Sequence, residues 1–204
     1  MLVLFLILLL AVIEFFKTDV KDKFIKPKYE DVIKSDIDYD SDGLDDYTDI
    51  LNGAKDFISK KPKYKSKYYD GGYPTDEYRV CTDIIWYALK NAGYDFKTLI
   101  DEDIKNNKDE YDEDVGDTNI DFRRVRNIKV YLDRNALKLA NDSDFNPGDI
   151  VVYKKHIAIV SDKVNSKNEN YILHQHMYQA YEYDGLFKNE ILGHYRWRLN
   201  DGKK

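Results

Sequence analysis

Apolar positions in the first half of the chain recur at helical intervals, and in the second half they alternate. Ile50, Leu51, Ala54, Phe57 and Ile58 outline one amphipathic helix, and Ile85, Ala88, Leu89 and Ala92 outline another over residues 82–92, closed by Gly93. Phe96, Leu99 and Ile100 place a further helical segment within residues 94–104, and an acidic, asparagine-rich loop follows to Thr118. Val125, Ile128 and Leu132 share one face of a helix over residues 123–133. After Asn146-Pro147-Gly148-Asp149 the period changes to two, so that residues 150–153, 156–161 and 171–176 read as strands, the last two joined by the polar residues 162–170. Helices followed by strands predict an α+β domain. Alternation puts His156, Ala158 and Val160 on one strand face and Ile157 and Ile159 on the other, and it gives His174 and His176 a common face.

A chain of 204 residues with 43% hydrophobic content can bury the core of one globular domain, and no repeat divides residues 47–204. The apolar run 1–13 is shorter than a spanning helix and close to the core of a signal peptide. Residues 1–16 are therefore expected to be a signal peptide or membrane anchor, which implies a protein secreted or tethered at the outer face of the bacterial cytoplasmic membrane. Lys17, Lys21 and Lys23 follow the run and pull the other way under the positive-inside tendency. Residues 17–37 read as a linker, 38–49 as a separate acidic loop and 50–200 as the main domain. The net charge of −6 is concentrated in seven aspartates between Asp36 and Asp49, so the main domain is nearly neutral and offers nucleic acid no electrostatic footing. The 18 tyrosines form no periodic stripe and are assigned to packing and surface contacts.

Cys81 is the one cysteine, which excludes an internal disulfide. It stands in the first turn of the helix over residues 82–92, on the face of Ile85, Ala88, Leu89 and Ala92, where unpaired N–H groups and the helix dipole favour a thiolate. His156, reached through the Pro-Gly turn and a strand, is a candidate base. Together they point to a cysteine–histidine hydrolase. Asp83 reads as helix-start electrostatics and His194 as a structural hydrogen-bonding residue. Gly72 and Tyr73 are candidates for a cleft wall. Arg123 and Arg124 either recognise substrate carboxylates through bidentate hydrogen bonds or pair with the protein's own acids.

Over residues 68–198 six motifs occur in one order: Tyr69-Asp70-Gly71-Gly72-Tyr73-Pro74, Val80-Cys81-Thr82-Asp83, Asn119-Ile120-Asp121-Phe122-Arg123-Arg124-Val125, Pro147-Gly148-Asp149-Ile150-Val151, His156-Ile157-Ala158-Ile159-Val160-Ser161 and Gly193-His194-Tyr195-Arg196. This order resembles the bacterial family called domain of unknown function 1287 (DUF1287), in the NlpC-type, papain-like cysteine peptidase superfamily. The resemblance implies a papain-like core in which the nucleophile begins a helix packed on an antiparallel sheet. It implies a cysteine peptidase or amidase that cleaves an amide bond in cell-wall peptidoglycan peptides, with no catalytic cofactor. It also makes His174 the residue that orients His156, with His176 the local rival. Phe122, Arg126 and Ala158 stand where the family often has histidine, proline and glycine.

Residues 38–49 match an EF-hand-like loop. Asp38, Asp40, Asp42, Asp46 and Asp49 occupy positions 1, 3, 5, 9 and 12, Gly43 occupies position 6, and the Leu44 carbonyl is available at position 7. These residues are expected to bind a structural Ca²⁺, with aspartate at position 12 giving weaker or monodentate ligation. A solvated acidic linker is the plainer reading of such a charge run. Two other functions remain open at this level: a non-catalytic, calcium-binding wall-associated module, and a zinc protein using Cys81, His156, His174 and His176.

Overall fold

The computed structural model describes residues 28–198. Four helices, α1 (Asp46–Ser59), α2 (Asp83–Asn91), α3 (Phe96–Asn106) and α4 (Val125–Asn135), precede most of the strands. The antiparallel sheet contains β1 (Lys28–Tyr29), β4 (Leu137–Leu139), β5 (Ile150–Tyr153), β6 (His156–Val164), β7 (Asn170–Gln175), β8 (Ala180–Tyr183) and β9 (Gly193–Arg196). Its order is β4-β9-β5-β6-β7-β8, with β1 paired to the far end of β6. A short parallel pair, β2 (Lys63–Tyr64) and β3 (Tyr78–Arg79), leads into α2. The chain is thus a mixed helix and antiparallel-sheet domain, compatible with the α+β expectation. Among the described residues no helix is long and apolar enough to cross a membrane. The anchor or signal segment expected at residues 1–16 lies outside the described residues.

Strand alternation divides the apolar residues into two layers. Ile150, Val152, Ile157, Ile159, Leu173 and Tyr195 join Ile50, Ala54, Ile85, Leu89 and Ile128 in the core between helices and sheet. Val151, Tyr153, Ala158, Val160 and Ile172 face the other way and are covered by Leu186 and Ile191. Where α1 crosses α2, a Cβ added to Gly53 would fall 2.7 Å from Asn91 Cβ and 2.9 Å from Ala88 Cα, so the helices touch through backbone.

The segment expected to be a linker is in part folded. Lys28 and Tyr29 pair with Val164 and Lys163, Val32 packs on the main core, and the Ile33 N–H donates to Asn146 Oδ1 at 2.8 Å. An edge too short to show periodicity supplies these contacts. The same shortness hid β2, β3 and β4.

Two buried carboxylates clamp the elements that carry the candidate site. Asp83 Oδ1 accepts from Arg123 Nε at 2.8 Å and from Trp86 Nε1 at 2.8 Å, while Oδ2 accepts from Arg123 Nη2 at 3.0 Å and from the Val80 N–H at 2.7 Å. The pair is almost fully buried, with side chains 1% and 0% exposed. Asp149 plays the corresponding part at the start of β5. It accepts from Arg196 Nε and Nη2, each at 2.8 Å, from the Asn146 N–H at 2.8 Å, and makes a 2.8 Å contact with His194 Nε2. Asp83 at the helix start and His194 as a structural residue agree with the sequence reading. Because Arg123→Leu would strand a buried carboxylate, it is expected to cost about 3–5 kcal/mol in urea unfolding. Arg126→Leu, whose partners Asp112 and Asp114 are exposed, should cost about 1 kcal/mol or less.

Candidate functional site

Cys81 lies in the turn ahead of α2, whose N-cap is Thr82. The Asp83 N–H bonds the Val80 carbonyl at 3.0 Å, and the Asp83 carboxylate bonds the Val80 N–H, so the turn is closed from both ends. Burial pushes the thiol up to about 11, the Asp83 charge adds to the rise, and N–H groups of Ile157, Thr82 and Cys81 itself pull it down. This corrects the expectation of a helix-start thiolate. The dipole acts here on a half-buried group packed against the core, and desolvation of the anion wins.

His156 and His174 belong to adjacent antiparallel strands. Ile159 pairs with Leu173 and Val160 with Ile172, so the same register continued sets Ala158 across from His174 and makes His156 and His174 diagonal neighbours on one face. His156 Nε2 lies 2.9 Å from His174 Nδ1, with the rings edge to face at 5.0 Å. Burial drives His156 down to about 4 and His174 down to about 3, with the charge of His176 adding in both cases and that of His156 in the second. Both imidazoles are therefore neutral at pH 7. One proton is shared in the contact, and with His156 Nε2–H as donor, His156 Nδ1 is left as a free base and His174 carries its own proton on Nε2. That Nε2 is buried without a hydrogen-bond partner. Tyr183 stacks on the His174 ring at 5.6 Å, and His176 follows β7 with its ring 5.8 Å from that of His174.

Cys81, His156 and His174 line one open cleft of about 730 Å³, together with His176, Tyr64, Tyr181, Tyr183, Lys154, Lys155 and Lys188. The imidazoles project from the sheet face away from the helices, and Cys81 comes from the helix layer. Tyr153, Lys154, Lys155 and His156 line the cleft with Cys81, which locates it at the turn from β5 into β6. Tyr64 lines the cleft with Cys81, and burial and the Cys81 charge both raise its hydroxyl. Sequence reasoning missed Tyr64 because only the β2–β3 pairing, Tyr64 opposite Arg79, brings it there. It missed the lysines because they lie in turns without a motif.

The residues expected to form the cleft wall lie elsewhere. Tyr73 donates to Asp95 Oδ1 at 2.9 Å and packs edge-on against Trp86 and Phe122, and Gly72 is pressed against Phe122 and Asn119. Arg123 is consumed by Asp83 and by the Lys67 carbonyl at 2.9 Å, while Arg124 bonds the Asp114 carbonyl at 2.9 Å and Asp121 Oδ1 at 3.3 Å. Of the two readings of the arginines, the structure selects pairing with the protein's own groups.

The acidic loop folds back on itself. Asp38, Asp40 and Asp42 bring carboxylate oxygens within 4.8 Å of one another, the only group of three or more such ligand atoms among the described residues. Cys81 and the histidines therefore do not assemble a zinc site of that kind. Asp46 accepts from the Tyr39 N–H at 2.9 Å and from the Tyr94 hydroxyl, and burial raises its carboxyl. Asp49, in the first turn of α1, is 2% exposed, and burial together with the charges of Asp42, Asp40, Asp38 and Asp46 pushes it up to about 6.

Comparison with known proteins gives the family and nothing finer. Residues 51–197 match the model of the family described as "Domain of unknown function (DUF1287)". The chain is 32% identical over 164 residues to "Uncharacterized protein YijF" of Escherichia coli (strain K12), an alignment covering 72% of this chain and 80% of that relative. No solved structure matches it. The chain belongs to the DUF1287 family.

Proposed function

We propose that this chain is an exported cysteine hydrolase of papain-like, NlpC-type architecture that cleaves an amide bond in peptidoglycan peptides. One observation carries the reading: Cys81 and the His156–His174 pair line the same cleft, with His156 Nε2 2.9 Å from His174 Nδ1. Cys81 Sγ attacks the amide carbonyl as its proton passes to His156 Nδ1, and the imidazolium is held by the lone pair of His174 Nδ1. Collapse breaks the C–N bond and His156 returns the proton to the departing amine. Water, deprotonated by His156, then cleaves the thioester and restores the thiol. The Cys81 N–H and the Tyr64 hydroxyl are the donors offered to the oxyanion. With thiol and imidazole both neutral at rest, proton transfer accompanies attack rather than preceding it.

The three lysines on the cleft favour substrates bearing free carboxylates, one of the two parts the sequence left open for Arg123 and Arg124. Residues 1–16 supply the export signal or the membrane tether in this reading, placing the enzyme at the outer face of the bacterial cytoplasmic membrane.

The test is product analysis of the full chain with defined muropeptides in water enriched in heavy oxygen. Label in the new carboxylate and fragment masses that name one amide bond are expected, and intact muropeptides after long incubation would refute the reading. Cys81→Ala should abolish turnover while the chain stays folded. His156→Ala should lower kcat/KM by about 10²–10⁴-fold, His174→Ala by a smaller factor and His176→Ala least.

The acid limb of kcat/KM tests the electrostatics. His156 accepts a proton only as pH falls through about 4, so activity should persist below its ordinary value of 6.5 and fall near pH 4. A limb centred at 6.5 would mean a solvated imidazole.

A further inference from the structure

The oxygen Asp49 Oδ2 is buried and has no hydrogen-bond partner, although it sits in a helical first turn rich in N–H donors. A carboxylate removed from water without a donor costs several kcal/mol unless a cation or proton compensates it. Asp49 shares the first turn of α1 with Asp46, whose Oδ1 accepts from the Tyr39 N–H, so the orphan oxygen borders the exposed cluster in which Asp38, Asp40 and Asp42 converge within 4.8 Å. Gly43 adopts φ +97, the left-handed turn needed at the sixth loop position, and the Asp42 and Gly43 N–H groups hold Asp38 at 3.1 and 3.0 Å.

We propose that residues 38–49 form a structural calcium site, with Asp38, Asp40, Asp42, the Leu44 carbonyl and Asp49 as ligands. Asp46, whose two oxygens already accept from the Tyr39 N–H and the Tyr94 hydroxyl, reaches the ion through water or buttresses the loop. Five hard oxygens from one flexible loop suit Ca²⁺ better than Mg²⁺, which holds to a tight octahedron and keeps its waters. The site lies ahead of residues 51–197, the span matched by the family model, so family membership does not assign it.

Its neighbours say what the ion does. Tyr39 stacks on Tyr94 at 4.2 Å, Asn91 Nδ2 donates to the Asp49 carbonyl at 2.9 Å, and a Cβ on Gly93 would fall 2.7 Å from Asp40 Cβ. All three contacts are at the C-terminal end of α2, while Cys81 precedes its N-terminal end. A nine-residue helix, about 14 Å long, separates them. The ion fixes the start of α1 and the far end of the nucleophile helix without touching the cleft.

Chelator-treated full chain, titrated with calcium chloride in a calorimeter, should bind one ion per chain. Its melting temperature should rise by roughly 5–10 °C when calcium is a hundredfold above Kd. Asp38→Asn with Asp42→Asn, both exposed changes that keep a side-chain acceptor, should remove the rise. No heat and no rise with millimolar calcium would overturn the site. So would an equal rise with magnesium, or an equal rise in the double variant, since either would mean screening of an acidic patch. The wild-type titration stands whether or not the variant folds.

Discussion

The buried Asp83–Arg123 pair is the constraint on which the arrangement of the cleft depends. A carboxylate and a guanidinium withdrawn from water are tolerable only when their hydrogen-bonding capacity is satisfied. Here the Val80 N–H, the Trp86 indole and the bidentate guanidinium satisfy Asp83, while the Lys67 carbonyl takes a further arginine donor. The bonds tie the turn before α2 to residues far along the chain and leave Cys81 one geometry. They also set a negative charge near the thiol, which raises it further. The clamp that holds Cys81 therefore disfavours its anion, and under the proposed function its activation falls to His156 on the sheet.

The position of His156 rests on the other clamp. Asp149 gathers Asn146, His194 and Arg196, fixing β5 against β9, and β5 pairs with β6 through Tyr153 and His156. From β6 the register carries to β7, where a slip by one residue would send His174 to the helix face. The 2.9 Å contact between His156 and His174 is thus a consequence of sheet pairing laid down at the Pro-Gly turn.

Much of this was legible in the chain. The helical faces through Ile50, Ile85, Ile100 and Ile128, and the alternation that separates His156 from Ile157, each follow from local periodicity, which the core respects. The family motifs located Cys81, His156 and His174. Roles that depend on a distant partner were not legible. Arg123 reads equally as a ligand for substrate or for Asp83 until the turn brings Asp83 to it, and Tyr64 is one tyrosine among many until a two-residue parallel pairing brings it to the cleft that Cys81 lines. The thiol was misjudged for a different reason: helix dipoles are read from position, whereas desolvation depends on what packs over the site.

The measurement that bears most directly on the central claim is acid-quenched, single-turnover mass spectrometry of the full chain mixed with a muropeptide. The account predicts a transient acyl adduct on the proteolytic peptide that carries Cys81, appearing before the second product and decaying at the rate of hydrolysis. Product formed at the full rate with no adduct, or with the adduct on another residue, would contradict it.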